Sequence, residues 1–415
     1  MSSINHSIIK LIIFFSKQAG ISLLHAISVI FALSFVPASF TLYIIEERTS
    51  NSKHLQLVSG VSRLIYWIQA YVWDMVCYII SALLCIIIFL IFNEETYISP
   101  TNFPGLVLLF FLYGWSCIPL MYPISYLFSI PSSAFVGLAC ANMFVGIITT
   151  VTTFVLGTFD DDELRAVDDI IKEVFLIFPH FCLGDGLMKL ATNHMASASL
   201  SSMDIEWRGN ILEWDYIGKN LTCMFILGII FFAITLAIEF KLFSRVVVEN
   251  LKNKVESLRQ EDEEEDVKAE RLRIEEGNLS DILVIDKLMK VYPRRGINNP
   301  SVNRISVGIK QGECFGLLGL NGAGKTSTFK MLTGAINVTS GDAYVKGHSI
   351  VTDIGQARSL MGYCPQFDAL DPLLTPREHL IFYATIRNIP SRLVQKVTAF
   401  YVIFLLKQCF YCFKL

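Results

Sequence analysis

The run Gly319-Leu320-Asn321-Gly322-Ala323-Gly324-Lys325-Thr326 fits the pattern G-x-x-x-x-G-K-[ST] in full. Its chemistry is phosphate binding. Glycines here let backbone N–H groups turn inward around an anion without a Cβ clash, and a helix opening near Lys325 would add the positive end of its dipole. Lys325 suits the β- and γ-phosphates of a nucleotide, and the Thr326 hydroxyl suits Mg2+. Gly319, Asn321, Gly322, Gly324 and Ser327 complete the candidate nucleotide-binding set in this run. The competing reading is a glycine-rich turn without a ligand.

Such a loop needs a strand before it and a helix after it, and the surrounding sequence suggests both. Short β-rich runs occur at residues 281–285, 305–309 and 313–318, the last after the turn Gln311-Gly312 and directly before Gly319. Further upstream, residues 252–277 are dense in charge, with six acids in a row at 261–266 before Lys268, Glu270, Arg271 and Arg273. The simplest reading is a solvated helical tether, and the alternative is a docking or regulatory surface.

The remainder of the chain is of a different kind. Of 415 residues, 53% are hydrophobic and 17% charged, which excludes disorder, collagen and a plain soluble enzyme. The apolar excess lies in the first half. A bilayer core takes about 20 apolar residues in a helix, and residues 21–45, 64–92, 105–127, 134–156 and 221–242 reach that length. Residues 8–15 are too short, are interrupted by Lys10, and are not counted as a span; residues 1–20 form an N-terminal segment. Half of the ten cysteines (Cys77, Cys85, Cys117, Cys140, Cys223) sit inside apolar runs as small buried hydrophobes. A net charge of -3 leaves no basic field for a nucleic acid.

Loop charges set the orientation. Arg48, Lys53 and Arg63 lie between the first two spans, whereas residues 93–104 hold Glu94 and Glu95 and no basic residue, so the first loop is expected in the cytosol. By alternation, residues 157–220 are extracytosolic and everything after Lys241 is cytosolic. In the long loop, Leu164, Val167, Ile171, Val174, Phe175 and Phe178 recur at helical spacing, Pro179 breaks the run, and Phe181, Leu183 and Leu187 resume it. Residues 160–190 therefore read either as a helical hairpin dipping into the outer leaflet or as a loop helix packed on span ends. Asp74 lies inside an apolar run, and a structural pairing is favoured over proton transfer.

The stretches GECFGLLGLNGAGKTSTFKMLTG and MGYCPQFDALDPLLTPREHL resemble the nucleotide-binding domain of ATP-binding cassette (ABC) transporters, specifically the A subfamily of large lipid exporters. ISVIFALSFVPASF, SKHLQLVSGV, SPTNFPG and VFLIFPHFCLGDGL are similar to that subfamily's second transmembrane domain. The resemblance runs from about residue 21 to Lys396. It implies a fold of about five helical spans (residues 21–243), a charged linker (244–280) and the N-terminal part of an α/β P-loop NTPase domain (281–396). It implies ATP and Mg2+ as cofactors. Tyr292 matches the aromatic whose ring stacks on adenine, and Gln366 matches the Q-loop glutamine that reaches Mg2+ and the γ-phosphate. Residues 46–62 would contain the coupling helix, and 160–190 the family's extracytosolic helix pair.

The same resemblance marks departures. The family's signature, Walker B acids and switch histidine lie downstream of the Q-loop, and none is found in this sequence. Residues 397–415 form an apolar tail, too short to span a bilayer, that reads as a foreign ending. The family's half-transporter also starts with a further span and a large extracytosolic domain, so the chain reads as a fragment. The function implied is ATP-driven lipid export or translocation, with a lipid substrate, the membrane, and a second nucleotide-binding domain or missing half as partners. The alternative is a non-hydrolysing membrane protein that binds only nucleotide or a full-length partner. A P-loop kinase or GTPase lacks its base-recognition motif here.

Overall fold

The computed structural model describes residues 2–159, 161–201, 210–240, 264–277, 281–292, 300–366 and 368–412. The chain divides into two compact units, one of residues 1–46 and 67–236 and one of residues 47–66 and 237–415.

The first unit is helical because its sequence is apolar over lengths that leave backbone polar groups no partner but each other. Its helices are α1 (Ser2–Thr49, whose last residues pass into the second unit), α3 (Arg63–Ile91), α4 (Glu95–Ile98), α5 (Phe103–Ser125), α6 (Pro131–Leu156), α7 (Asp162–Phe175), α8 (Pro179–Ser201) and α9 (Lys219–Glu239). Five helical segments are long and apolar enough to cross a membrane: Gln18–Thr49, Arg63–Ile91, Phe103–Ser125, Pro131–Leu156 and Tyr216–Glu239. Residues 8–15 are the early turns of the continuous helix α1.

Polar side chains fasten this bundle from inside. Asn102 Nδ2 donates to the carbonyls of Thr96 (2.7 Å) and Leu190 (2.8 Å), and Asn193 Nδ2 donates to Asn102 Oδ1 (2.9 Å). Asn220 Nδ2 donates to Cys182 O and Asp185 Oδ2, tying α9 to α8. Pro179 opens α8, whose Phe181, Cys182, Leu183, Leu187, Leu190 and Ala191 are fully buried, with α5 and α6 packed against it. Residues 160–190 hold α7 and the start of α8, and α8 belongs to the core of the unit. Asp74 accepts from the Tyr122 hydroxyl at 2.7 Å, so its partner is a neutral group.

The second unit contains α2 (Ser52–Ser59), α10 (Glu265–Glu275), α11 (Lys325–Leu332), α12 (Ile354–Ser359), α13 (Pro376–Ile386) and α14 (Ser391–Cys412). Its sheet has β1 (Asp281–Lys290), β2 (Val302–Lys310), β3 (Ser340–Val345) and β4 (His348–Ser349) in the order β2-β1-β3-β4, with every pair antiparallel. Ile285 stands opposite Val307 on one side and Ala343 on the other. One face buries Ile285, Leu288, Val302, Ala343 and Val345 against Met331 and Leu332 of α11 and Ala357 of α12. This packing fixes the helix that follows the glycine-rich loop.

Two expectations are corrected. Residues 313–318 form no strand: no described strand runs beside them, and Phe315 and Leu318 are exposed. A strand exists only through its ladder, and the β-rich composition of this run supplies no partner. The charged segment is also not wholly solvated. Helix α10 buries Ile274, its Glu270 carboxylate accepts from the Gly308 amide at 2.9 Å, and Arg273 pairs with Asp281 at 2.9 Å. Hydrogen bonding from Arg273 holds the Glu270 carboxyl below its usual range. Residues 241–263, with the first three of the six acids, lie outside the described residues.

Candidate functional site

The loop and helix around Lys325 depend on missing side chains. Gly324 caps α11 at φ +93°, and a Cβ there would stand 2.2 Å from the Ser301 carbonyl oxygen, too close for any residue but glycine. Gly322 has the same φ with open space around it. The Lys325 ammonium donates to the carbonyls of Gly319 (2.5 Å) and Leu320 (2.8 Å), which folds its stem over the loop. Lys325, Thr326 and Ser327 open the helix, and the first N–H groups of a helix have no partner inside it. The Thr328 amide is the first to bond back, to Gly324 O at 2.9 Å.

A cavity of about 610 Å³ lies over this turn. It is lined by Asn321, Gly322, Gly324, Lys325, Thr326 and Ser327 from the loop and helix, and by Tyr292 and Gln366 from elsewhere in the chain. Gly319 shapes the loop but does not line the cavity. Thus eight of the nine sequence-derived site residues meet at one space. Tyr292, just past β1, is half-buried, with its hydroxyl 3.3 Å from Ser327 Oγ and the Lys290 ammonium 5.3 Å from its ring centre. Burial pushes the Lys290 pKa below its usual value, and the ammonium donates a hydrogen bond to Asn337 O at 2.5 Å. Gln366 is exposed at the cavity. Ser301, Leu317 and Phe329 also line it and were not singled out from sequence. They belong to no motif, and only the packing of β2 against the loop brings Ser301 there.

A second cluster surrounds α2. A ring nitrogen of His54 lies 3.1 Å from Thr333 Oγ1 at the end of α11, and the same ring meets Tyr363 edge-on at 5.4 Å. Tyr363 is three residues before Gln366. Nearby, Lys53 pairs with Glu239 at 2.6 Å in a buried setting that pulls the ammonium below its usual range despite the carboxylate. Gln56 Nε2 and the Tyr66 hydroxyl both donate to the Glu47 carboxylate. His54 was not recognised from sequence, because its partners are nearly three hundred residues away and no spacing encodes them.

These features belong together in one kind of protein. Residues 6–237 match the family model described as ABC-2 family transporter protein, and residues 302–406 match the one described as ABC transporter, ten residues past Lys396. The chain belongs to the ABC transporters, in their A subfamily, and is an integral membrane protein. It is 50% identical over 376 residues to the bovine retinal-specific phospholipid-transporting ATPase ABCA4, covering 90% of this chain and 16% of that protein. It is 46% identical over 374 residues to the human phospholipid-transporting ATPase ABCA7, covering 90% of this chain and 17% of the relative. To human ATP-binding cassette sub-family A member 2 it is 43% identical over 374 residues, covering 89% and 15%. The chain therefore spans about one-sixth of the length of these relatives.

Proposed function

We propose that this chain is part of an ATP-driven lipid translocator. The observation that carries the reading is the convergence of Tyr292, Gln366 and the 319–326 loop on one cavity. Three features of that cavity suit a nucleoside triphosphate: a glycine at 324 whose Cβ would meet the Ser301 carbonyl, a lysine on loop carbonyls, and the first residues of a helix in the lining. Tyr292 would stack on adenine, Lys325 would move from Gly319 O and Leu320 O to the β- and γ-phosphates, and Thr326 and Gln366 would hold Mg2+. The bound metal would neutralise phosphate charge. Helix α2 would carry the change at Gln366 away from the site, since His54 touches both Tyr363 and the end of α11. The lipid is suggested by the two relatives named as phospholipid-transporting ATPases and by the long apolar helices. The partners would be a lipid, the membrane and a second nucleotide-binding domain, with the 281–396 part in the cytosol.

A second reading, in which the chain binds nucleotide without turning it over, is favoured by one observation. No carboxylate lines the cavity among the described residues, and positioning a water for phosphoryl transfer calls for one or a similar group. The test is ATP turnover by the purified full chain in liposomes. Lipid-stimulated hydrolysis abolished by Lys325→Ala supports translocation. Nucleotide binding with no turnover supports the second reading.

A further inference from the structure

Lys290 is the last residue of β1, and its charge is buried without a counter-ion. The residue is 7% exposed, and among the described residues no carboxylate pairs with its ammonium, whose pKa is lowered by burial with no anion to offset the shift. Desolvating an unpaired cation is costly, so its place in the fold calls for a physical reason. It has two contacts. Nζ donates to Asn337 O at 2.5 Å, and it stands over the Tyr292 ring at 5.3 Å from the centre, within the range of a cation–π attraction. The backbone that carries the ammonium is tied on both sides. The Ser301 amide donates to Lys290 O at 2.8 Å, the Val291 amide to Thr339 Oγ1 at 3.1 Å, and the Thr339 amide to Met289 O at 3.0 Å. Asn337, which accepts from the ammonium, is two residues before Thr339 in the same tied segment. Tyr292, by contrast, lies two residues past the last ladder pair, Lys290 with Val302. Tyr292 lines the nucleotide cavity and Lys290 does not. One face of the ring thus carries the ammonium and the other is open to the cavity, while the hydroxyl, 3.3 Å from Ser327 Oγ, sets the ring's tip by the phosphate loop.

We propose that Lys290 is a positioning residue for the nucleobase: its ammonium holds the Tyr292 ring from behind, with the cavity face of the ring presented to a purine. The cation draws ring π density toward itself, so the far face meets an electron-rich purine with less repulsion. A ring already set also loses less side-chain freedom when the base arrives. A purine gains more from such a platform than a pyrimidine does, because it stacks over a larger area. Lys290 acts through Tyr292 and does not line the space that a nucleotide would fill. The inference deepens the nucleotide reading above and rests on it for the ligand.

The test is equilibrium binding of ATP, CTP and inorganic triphosphate, each with Mg2+, to the purified full chain in nanodiscs. Lys290→Met keeps a long apolar stem and removes the charge. It should weaken ATP binding about fivefold and CTP binding less, and leave inorganic triphosphate unchanged, since triphosphate makes no use of the ring. Lys290→Arg restores a cation over the ring and should recover most of the ATP affinity. In a Tyr292→Ala background, where there is no ring to hold, Lys290→Met should have no further effect on ATP. A side chain that merely supports β1 would lower ATP and triphosphate binding alike, and would do so with or without the ring; either result overturns the proposal. An ATP preference unchanged in Lys290→Met removes the Lys290 assignment and leaves the nucleotide site standing, whereas a native chain that binds neither ATP nor triphosphate removes both.

Discussion

Gly324 carries more of the nucleotide proposal than its lack of functional groups suggests. It holds a left-handed backbone at the start of α11, and the Ser301 carbonyl occupies the place where its Cβ would stand. Gly324→Ala must therefore push β2 and the loop apart, and we expect nucleotide binding to fall at least about tenfold while the bundle helices keep their content. Titration with a fluorescent ATP analogue, with circular dichroism alongside, checks this. Gly322, at the same φ but in open space, pays only the backbone strain, so its alanine variant should be milder. His54 is a different kind of residue, one that joins distant parts of the chain. Removing its ring in His54→Ala breaks the contact to Thr333 and Tyr363, at a cost of about 1 kcal/mol for the hydrogen bond. Hydrogen exchange should then show α2 amides losing protection, with nucleotide affinity unchanged.

Among the elements, α13 is the one whose start is most completely specified by local sequence. Thr375 caps it, Glu378 returns to the Thr375 amide, and Pro376 fills the first turn, a full capping box. Thr375→Ala should cost about 1 kcal/mol of helix stability, read by exchange of the α13 amides. The same box responds to pH. Hydrogen bonds from Thr375 hold the Glu378 carboxyl below its ordinary 4.5, so its contribution is complete above pH 4.5 and is lost as pH falls through the lower folded value. Exchange at α13 should rise in that acid range in the native chain and not in Glu378→Gln, which keeps an acceptor that does not titrate. Elements were legible in sequence where their cause is local. The long apolar helices follow from composition over twenty or more residues, and the phosphate loop from fixed spacing within eight. Residues 313–318 were misread because a strand is made by its neighbour, and α10 was read as solvated because Arg273 meets Asp281 and Glu270 meets Gly308 only in the folded sheet. For the site, the loop residues were legible individually, and their meeting with Tyr292 and Gln366 was an expectation from resemblance. Ser301, Leu317 and Phe329 had no signal at all.

In the whole molecule, each unit has its own reason to hold together. In the first unit that reason includes Asn102, which satisfies two carbonyls and a second asparagine at once. Asn102→Leu strands those groups in an apolar interior and should cost about 1–3 kcal/mol, seen as a lower midpoint of thermal unfolding in detergent. In the second unit the reason is the antiparallel sheet with α11 packed on it, which places the phosphate loop. The central claim is that this loop, Tyr292 and Gln366 form one nucleotide site, and it is tested most directly by binding of labelled ATP with Mg2+ to the purified full chain in nanodiscs. Binding should be saturable, weakened at least about tenfold by Lys325→Ala through the loss of a charged contact to phosphate, and weakened by Tyr292→Ala for ATP more than for inorganic triphosphate. Binding that both variants leave unchanged, or no binding by the native chain, would contradict it.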